Sequence, residues 1–164
     1  MGSGGLYTQL VQRALLLLSV LTLVAGTGPG GWGTAAAADT NVVTADGDLV
    51  AWSEWVRENA PFVLVLWASW APGASAARDE FAGIADTART RGMTAVVVSV
   101  QESIGEAEDG LVGVEIPWFH DRYGNLLKEY RVVSIPAMVV IDDGGRVVGR
   151  IEPTAEALRS WKGE

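Results

Sequence analysis

The sequence predicts an α/β protein of three layers, α/β/α, in which a mixed central sheet is flanked by helices on both faces. Three observations lead there. Residues 62–67 (FVLVLW) and 93–100 (MTAVVVSV) are apolar almost without a break, the pattern of strands buried on both faces rather than strands with one wet face. Between them, residues 75–91 place Ala77, Phe81, Ile84, Ala85 and Ala88 at helical spacing. A strand, helix, strand unit of that length crosses over right-handed and leaves its two strands parallel. Downstream, residues 137–141 and 146–151 flank Asp142-Asp143-Gly144-Gly145, which reads as the turn of an antiparallel hairpin.

The remaining elements follow in order. Residues 49–56 carry apolar side chains at helical spacing, with Asp46 or Asp48 as N-cap and Pro61 beyond the end. In the 75–91 helix, Asp79 and Glu80 suit the positive start, Arg89 and Arg91 suit the negative end, Ser75 reads as a cap, and Gly92 closes it. Residues 101–113 are acidic with Ile104, Leu111 and Val112, a weak helix or a loop, and residues 116–120 form a further short strand. A turn at 121–124 leads to a two-turn helix over 126–130. Pro153 and Thr154 introduce a last helix that runs through Trp161, with Thr154 as its cap.

The chain has 164 residues, and what remains after the leader fits one domain large enough to bury its own core. Its net charge of −8 lacks the basic footprint that nucleic acid or an anionic membrane surface requires. Residues 1–38 read as a signal peptide or an N-terminal anchor: Arg13 is the positive n-region, residues 14–25 are apolar, and Ala35 to Ala38 offer small-residue cleavage, with cleavage near Ala25 as the alternative. Residues 39–48 read as a linker and 49–164 as the folded domain. The protein is expected to be exported, to the periplasm, with membrane contact only through an uncleaved leader. Disulfides are permitted there, so compartment does not explain why the chain contains no cysteine.

The string FVLVLWASWAPGA at 62–74 resembles the active-site strand and loop of the thioredoxin superfamily, in which W-C-x-x-C follows a buried strand and opens a helix. TAVVVSV at 94–100, the 116–121 segment and SIPAMVVIDDGGRVVGRIE at 134–152 follow in the superfamily's order, the last being similar to its cis-proline loop and final hairpin. WASW, the acidic stretch and the leader look most like the exported TlpA-type thiol-disulfide reductases, over about residues 50–162. The resemblance implies a thioredoxin-like fold and maps the two cysteines onto Ala71 and Ala74. An alanine methyl has neither a titratable proton nor a nucleophilic lone pair, so exchange through this site is expected to be absent. Val65 falls where thioredoxins place a buried acid. Pro136 maps onto the cis-proline, and Ile135 before it onto the residue whose backbone pairs with an extended peptide; a proline that merely shapes entry into a strand is the other reading of that position.

Several other residues carry chemistry in principle. Trp67 reads as core and Trp70 as an exposed aromatic contact beside Pro72 and Gly73. Ser75 as a nucleophile needs a positioned base, and His120 is the only histidine. His120 with Asp121 or Glu115 is too sparse a set for a metal, so it reads as structural and no metal or cofactor is expected. Glu102, Glu106, Glu108 and Asp109 read as a solvated helix face. The leading functional expectation is a redox-inactive, exported protein-binding or assembly module that takes an extended segment of another exported protein through Trp70, Pro72, Gly73, Ile135 and Pro136. The alternatives are a thiol-disulfide oxidoreductase of the TlpA type whose cysteines were replaced, and a structural subunit of a larger complex.

Overall fold

The computed structural model describes residues 39–163. The expected leader, 1–38, lies outside them. The elements in chain order are β1 (Asn41–Thr44), β2 (Leu49–Ala51), α1 (Trp52–Asn59), β3 (Phe62–Trp67), α2 (Ala74–Thr90), β4 (Thr94–Val100), α3 (Ile104–Leu111), β5 (Trp118–Asp121), α4 (Asn125–Glu129), β6 (Ala137–Ile141), β7 (Val147–Ile151) and α5 (Ala155–Ser160). They form one seven-stranded mixed sheet in the order β2-β1-β5-β4-β3-β6-β7. β3, β4 and β5 are mutually parallel, while β6 runs antiparallel to β3, and β7 to β6.

The apolar run of β3 and the nearly continuous one of β4 are explained by two cores, one on each face. Val63, Val65, Trp67, Val97 and Met138 point to the side covered by α2 and α5, where Phe81, Ile84 and Leu158 meet them. Phe62, Leu64, Leu66, Val98 and Val139 point to the other side, against Trp52, Leu126 and Tyr130. Successive strand residues face opposite ways, so a strand covered on both sides is apolar except where a buried polar side chain has its own partner, as Ser99 does.

The N-terminal part departs from the sequence reading. Residues 39–48, expected as a linker, include β1, which pairs antiparallel with both β2 and β5. Leu49–Ala51, expected as the first turn of the opening helix, is β2, and the helix starts at Trp52. Neither Asp46 nor Asp48 caps it. Asp39 does so from before β1, its carboxylate accepting the Ser53 N–H at 3.3 Å and the Ser53 hydroxyl at 2.6 Å. A cap that reaches across a hairpin has no local spacing to reveal it. Ser75 is not a cap either: Gly73 occupies that position with φ +81° and makes no side-chain bond. Asp79 and Glu80 lie past the first turn of α2, and Glu80 instead accepts the Ala155 N–H at 2.9 Å, at the start of α5. Thr154 caps α5 as its spacing predicts, accepting from the Ala157 N–H at 3.1 Å.

The weak 101–113 segment contains a true helix, α3, set by a capping box. The Ser103 hydroxyl accepts the Glu106 N–H, and the Glu106 carboxylate accepts the Ser103 N–H. The Ser103 N–H and the Ser103 hydroxyl, both donating to its carboxylate, hold the Glu106 carboxyl below its ordinary value. α4 ends in a Schellman motif, with the Val132 N–H on the Leu127 carbonyl at 2.8 Å and the Arg131 N–H on the Lys128 carbonyl at 3.2 Å. Arg131 adopts φ +52°, a left-handed position where glycine is the usual occupant and a side chain costs about 1 kcal/mol.

Tyr130 gives the second core its pH dependence. Its hydroxyl accepts the Trp52 indole N–H at 2.7 Å inside an aromatic cluster, and burial pushes its pKa up from 10.0 to about 12. An unfolded tyrosine loses its proton near pH 10 while the folded one stays neutral, so this contribution is complete below pH 10 and lost as pH rises towards 12. Unfolding free energies from urea titrations are expected to fall across that window by up to about 1.4 kcal/mol per pH unit from this group. Tyr130→Phe should remove that slope.

Candidate functional site

The site lies at one end of the sheet because of strand direction. β3 and β4 are parallel, with Trp67 opposite Ser99, so residues 68–73 and 101–103 leave the sheet at the same end. β6 is antiparallel to β3, with Leu66 opposite Ala137, which brings residues 131–136 to that end too. Loops at the carboxyl ends of parallel strands are where open α/β sheets place ligands.

The 68–73 loop is tightly wound. The Ala71 N–H donates to the Ala68 carbonyl at 3.1 Å and the Ala74 N–H to the Ala71 carbonyl at 3.0 Å. Gly73 then begins α2 in the left-handed conformation that this turn demands. The Trp67 indole N–H donates to the Ala74 carbonyl at 2.9 Å, which confirms it as core. Its ring closes against α3, where a Cβ at Gly110 would lie 2.7 Å from it. The methyls of Ala71 and Ala74 are 5% and 6% exposed and belong to the apolar cluster under α2. Val65 sits in that cluster with no exposure, so its position supplies no acid to the loop. Trp70, by contrast, is 56% exposed, and Pro72 and Gly73 are exposed beside it.

Across from this loop, the Ile135-Pro136 peptide is cis. Ile135 packs against both cores and is half-buried, while Val133 is fully exposed. Among the described residues, the backbone groups of Val133, Ser134 and Ile135 make no hydrogen bond. The structure therefore brings Trp70, Pro72 and Gly73 to the same end of the sheet as Ile135 and Pro136.

What anchors the loop escaped sequence reasoning. Glu102, expected on a solvated face, is 6% exposed and points inward. Its carboxylate accepts from the Ser69 N–H at 2.9 Å, the Ser69 hydroxyl at 2.5 Å and the Ser99 hydroxyl at 2.6 Å. Its carbonyl lies 2.9 Å from His120 Nε2, and a carbonyl can only accept, so that nitrogen carries the proton. Gln101, at φ +56°, turns its carbonyl towards the Trp70 indole N–H at 3.3 Å. His120 is thus tied to the same residue that holds the loop. Among the described residues no group of three or more histidine, cysteine, aspartate or glutamate side chains could hold a metal. Glu102 and Ser69 are 33 positions apart, so no motif links them, although the Ser103 to Glu106 capping box was a readable sign that 102 precedes a helix.

Chemically, the loop carries no thiol, and Ala71 and Ala74 contribute only methyl groups to the cluster under α2. The sequence matches the AhpC/TSA family over residues 34–150. The chain belongs to the AhpC/TSA family. This member shares its thioredoxin-like fold with solved thiol-disulfide proteins. StoA from Bacillus subtilis superposes with a TM-score of 0.60 at 22% identity, covering 77% of this chain and 98% of that one. A secreted Mycobacterium tuberculosis disulfide oxidoreductase homologous to Escherichia coli DsbE gives 0.57 at 17%, covering 73% and 90%. The exposed lipoprotein thioredoxin Etrx1 of Streptococcus pneumoniae gives 0.56 at 24%, covering 74% and 95%. No curated protein matches the chain at a comparable level. Against that background, this AhpC/TSA chain has no cysteine anywhere in its 164 residues.

Proposed function

We propose that the chain is a redox-inactive, exported thioredoxin-like module that binds an extended segment of another exported protein. The observation that carries this reading is the free backbone of Val133 to Ile135 at the same end of the sheet as the exposed Trp70. Unpaired N–H and C=O groups at a sheet end accept an added strand, and a rigid exposed tryptophan supplies contact area at low entropic cost. Ala71 and Ala74 leave that surface intact while removing thiolate, resolving thiol and disulfide together. Export is supported by the leader pattern and by the secreted and surface-exposed proteins that share the fold. No described helix is long and apolar enough to cross a membrane.

A photo-crosslinking amino acid at Ser134, used in the native exported fraction, is expected to capture discrete partners that the same group at Glu58 on α1 does not. Identical capture from both positions, or loss of none of it on adding Ile135→Arg, would remove the reading. A second reading, a reductase whose cysteines were replaced, is favoured by the thiol chemistry of the relatives, and sequencing codons 71 and 74 in the source DNA separates the two.

A further inference from the structure

Resting on that reading, we infer that the bound segment carries an acidic side chain, received by Arg131 and Arg150 in the groove that continues from Pro136. This groove, of about 760 Å³, runs past Val133, Pro136, Ile151 and Trp161. Its charged lining is Arg131, Arg150 and Glu152, a net positive surface on a chain of net charge −8. Neither arginine is in an ion pair among the described residues, as is true also of Arg78, Arg91 and Arg122, whereas Arg57, Arg89, Arg146 and Arg159 each are in one.

Two features set these arginines apart from ordinary solvated cations. Arg150 is held in place: its Nε and Nη2 both donate to the Tyr130 carbonyl, at 3.1 and 3.0 Å. That partner is neutral, so the full positive charge remains to be matched, and Nη1 stays free among the described residues to donate. Part of the ordering entropy of a bound carboxylate's partner is therefore already spent. Arg131 is the next residue after Tyr130, which places both guanidinium-bearing residues at one point of the groove wall. It also occupies the left-handed Schellman position where glycine is ordinarily found, at φ +52°. A residue kept in a backbone conformation unfavourable to it points to a use for its side chain. An extended segment laid along residues 133–135 would carry alternate side chains into this groove, where Val133 and Pro136 offer apolar contact and the two arginines offer a carboxylate site.

The test uses the full chain and two rhodamine-labelled heptapeptides of alternating valine and threonine, one with a central glutamate and one with glutamine, both amidated so that the side chain is the only carboxylate. Anisotropy titrations at low salt are expected to give about fivefold tighter binding of the glutamate peptide, a preference that shrinks in 0.5 M salt. Arg131→Gly should erase the preference and raise the melting temperature by about 3 °C, since glycine suits the site, a pair of effects that loss of structure cannot produce. Arg150→Gln should also reduce the preference. Equal affinity for both peptides, with both lost in Ile135→Arg, would overturn the carboxylate site and leave the binding reading standing. Failure of the wild-type chain to bind either peptide would overturn both.

Discussion

Ala71→Cys together with Ala74→Cys is expected to create dithiol-disulfide exchange in a chain that has none. Position 71 is within one turn of the start of α2, a 17-residue helix whose positive end favours a thiolate. Position 74 follows at the spacing that lets a second thiol resolve a mixed disulfide, across a turn already closed by the Ala74 N–H to Ala71 carbonyl bond. The added sulfur atoms enter sites only 5% and 6% exposed, at an overpacking cost of about 1 kcal/mol, small against a typical domain stability of about 5–15 kcal/mol. The double variant should form an intramolecular disulfide with a mild oxidant and then reduce insulin with dithiothreitol as reductant, while the wild type stays at background. The apolar Val65 supplies no base from its position under the loop, so a single added acid there, Val65→Asp, is expected to raise the rate further at some cost in stability. Two thiols that stay free under oxidant would mean that the loop has been rebuilt and not merely stripped of sulfur.

Glu102→Ala is expected to be the most destabilising single change near the site, about 2–4 kcal/mol. One carboxylate serves three donors, and its removal leaves the Ser99 hydroxyl, which has no exposure, and the Ser69 N–H unpaired. Glu102→Gln should cost about 1 kcal/mol or less. Its amide oxygen can still accept both Ser69 donors while its amide nitrogen donates to the Ser99 oxygen, so both serines keep a contact and only the Ser99 O–H must turn elsewhere. Urea midpoints measure the stability, and amide exchange at residues 68–71 measures the loop, which should open in the alanine variant and stay protected in the glutamine variant. An alanine variant within about 0.5 kcal/mol of wild type would show that the loop holds itself.

The readable parts of the fold were those whose causes are local. β3, β4 and the β6–β7 hairpin announced themselves because burial on both faces demands continuous apolar side chains and a tight turn demands Asp and Gly. Thr154 announced α5 because its partner, the Ala157 N–H, is three residues away. The positions of Ala71 and Ala74 could be placed from the flanking WASW and the helix that follows. The misplaced parts had distant causes. β1 is four residues long and is held by pairing to β5, some 76 positions away, so its own sequence reads as linker. Its neighbour β2 takes three residues that have helical spacing, because strand pairing outweighs that weak pattern.

The sequence alone determined that the chain is an α/β protein of thioredoxin-like order and that thiol chemistry is absent. Both follow from what residues are, their hydrophobicity, turn preference and reacting atoms, wherever they end up in space. Only the tertiary structure decided that Glu102 faces inward to hold the loop, that Asp39 and Glu80 cap helices remote from them, and that Arg150 is fastened to the Tyr130 carbonyl, one residue before Arg131. Each of these depends on which loops the parallel and antiparallel strand directions bring to one end of the sheet. A polar side chain has the same composition whether it is solvated or satisfied by a buried partner, and only the approach of that partner separates the two.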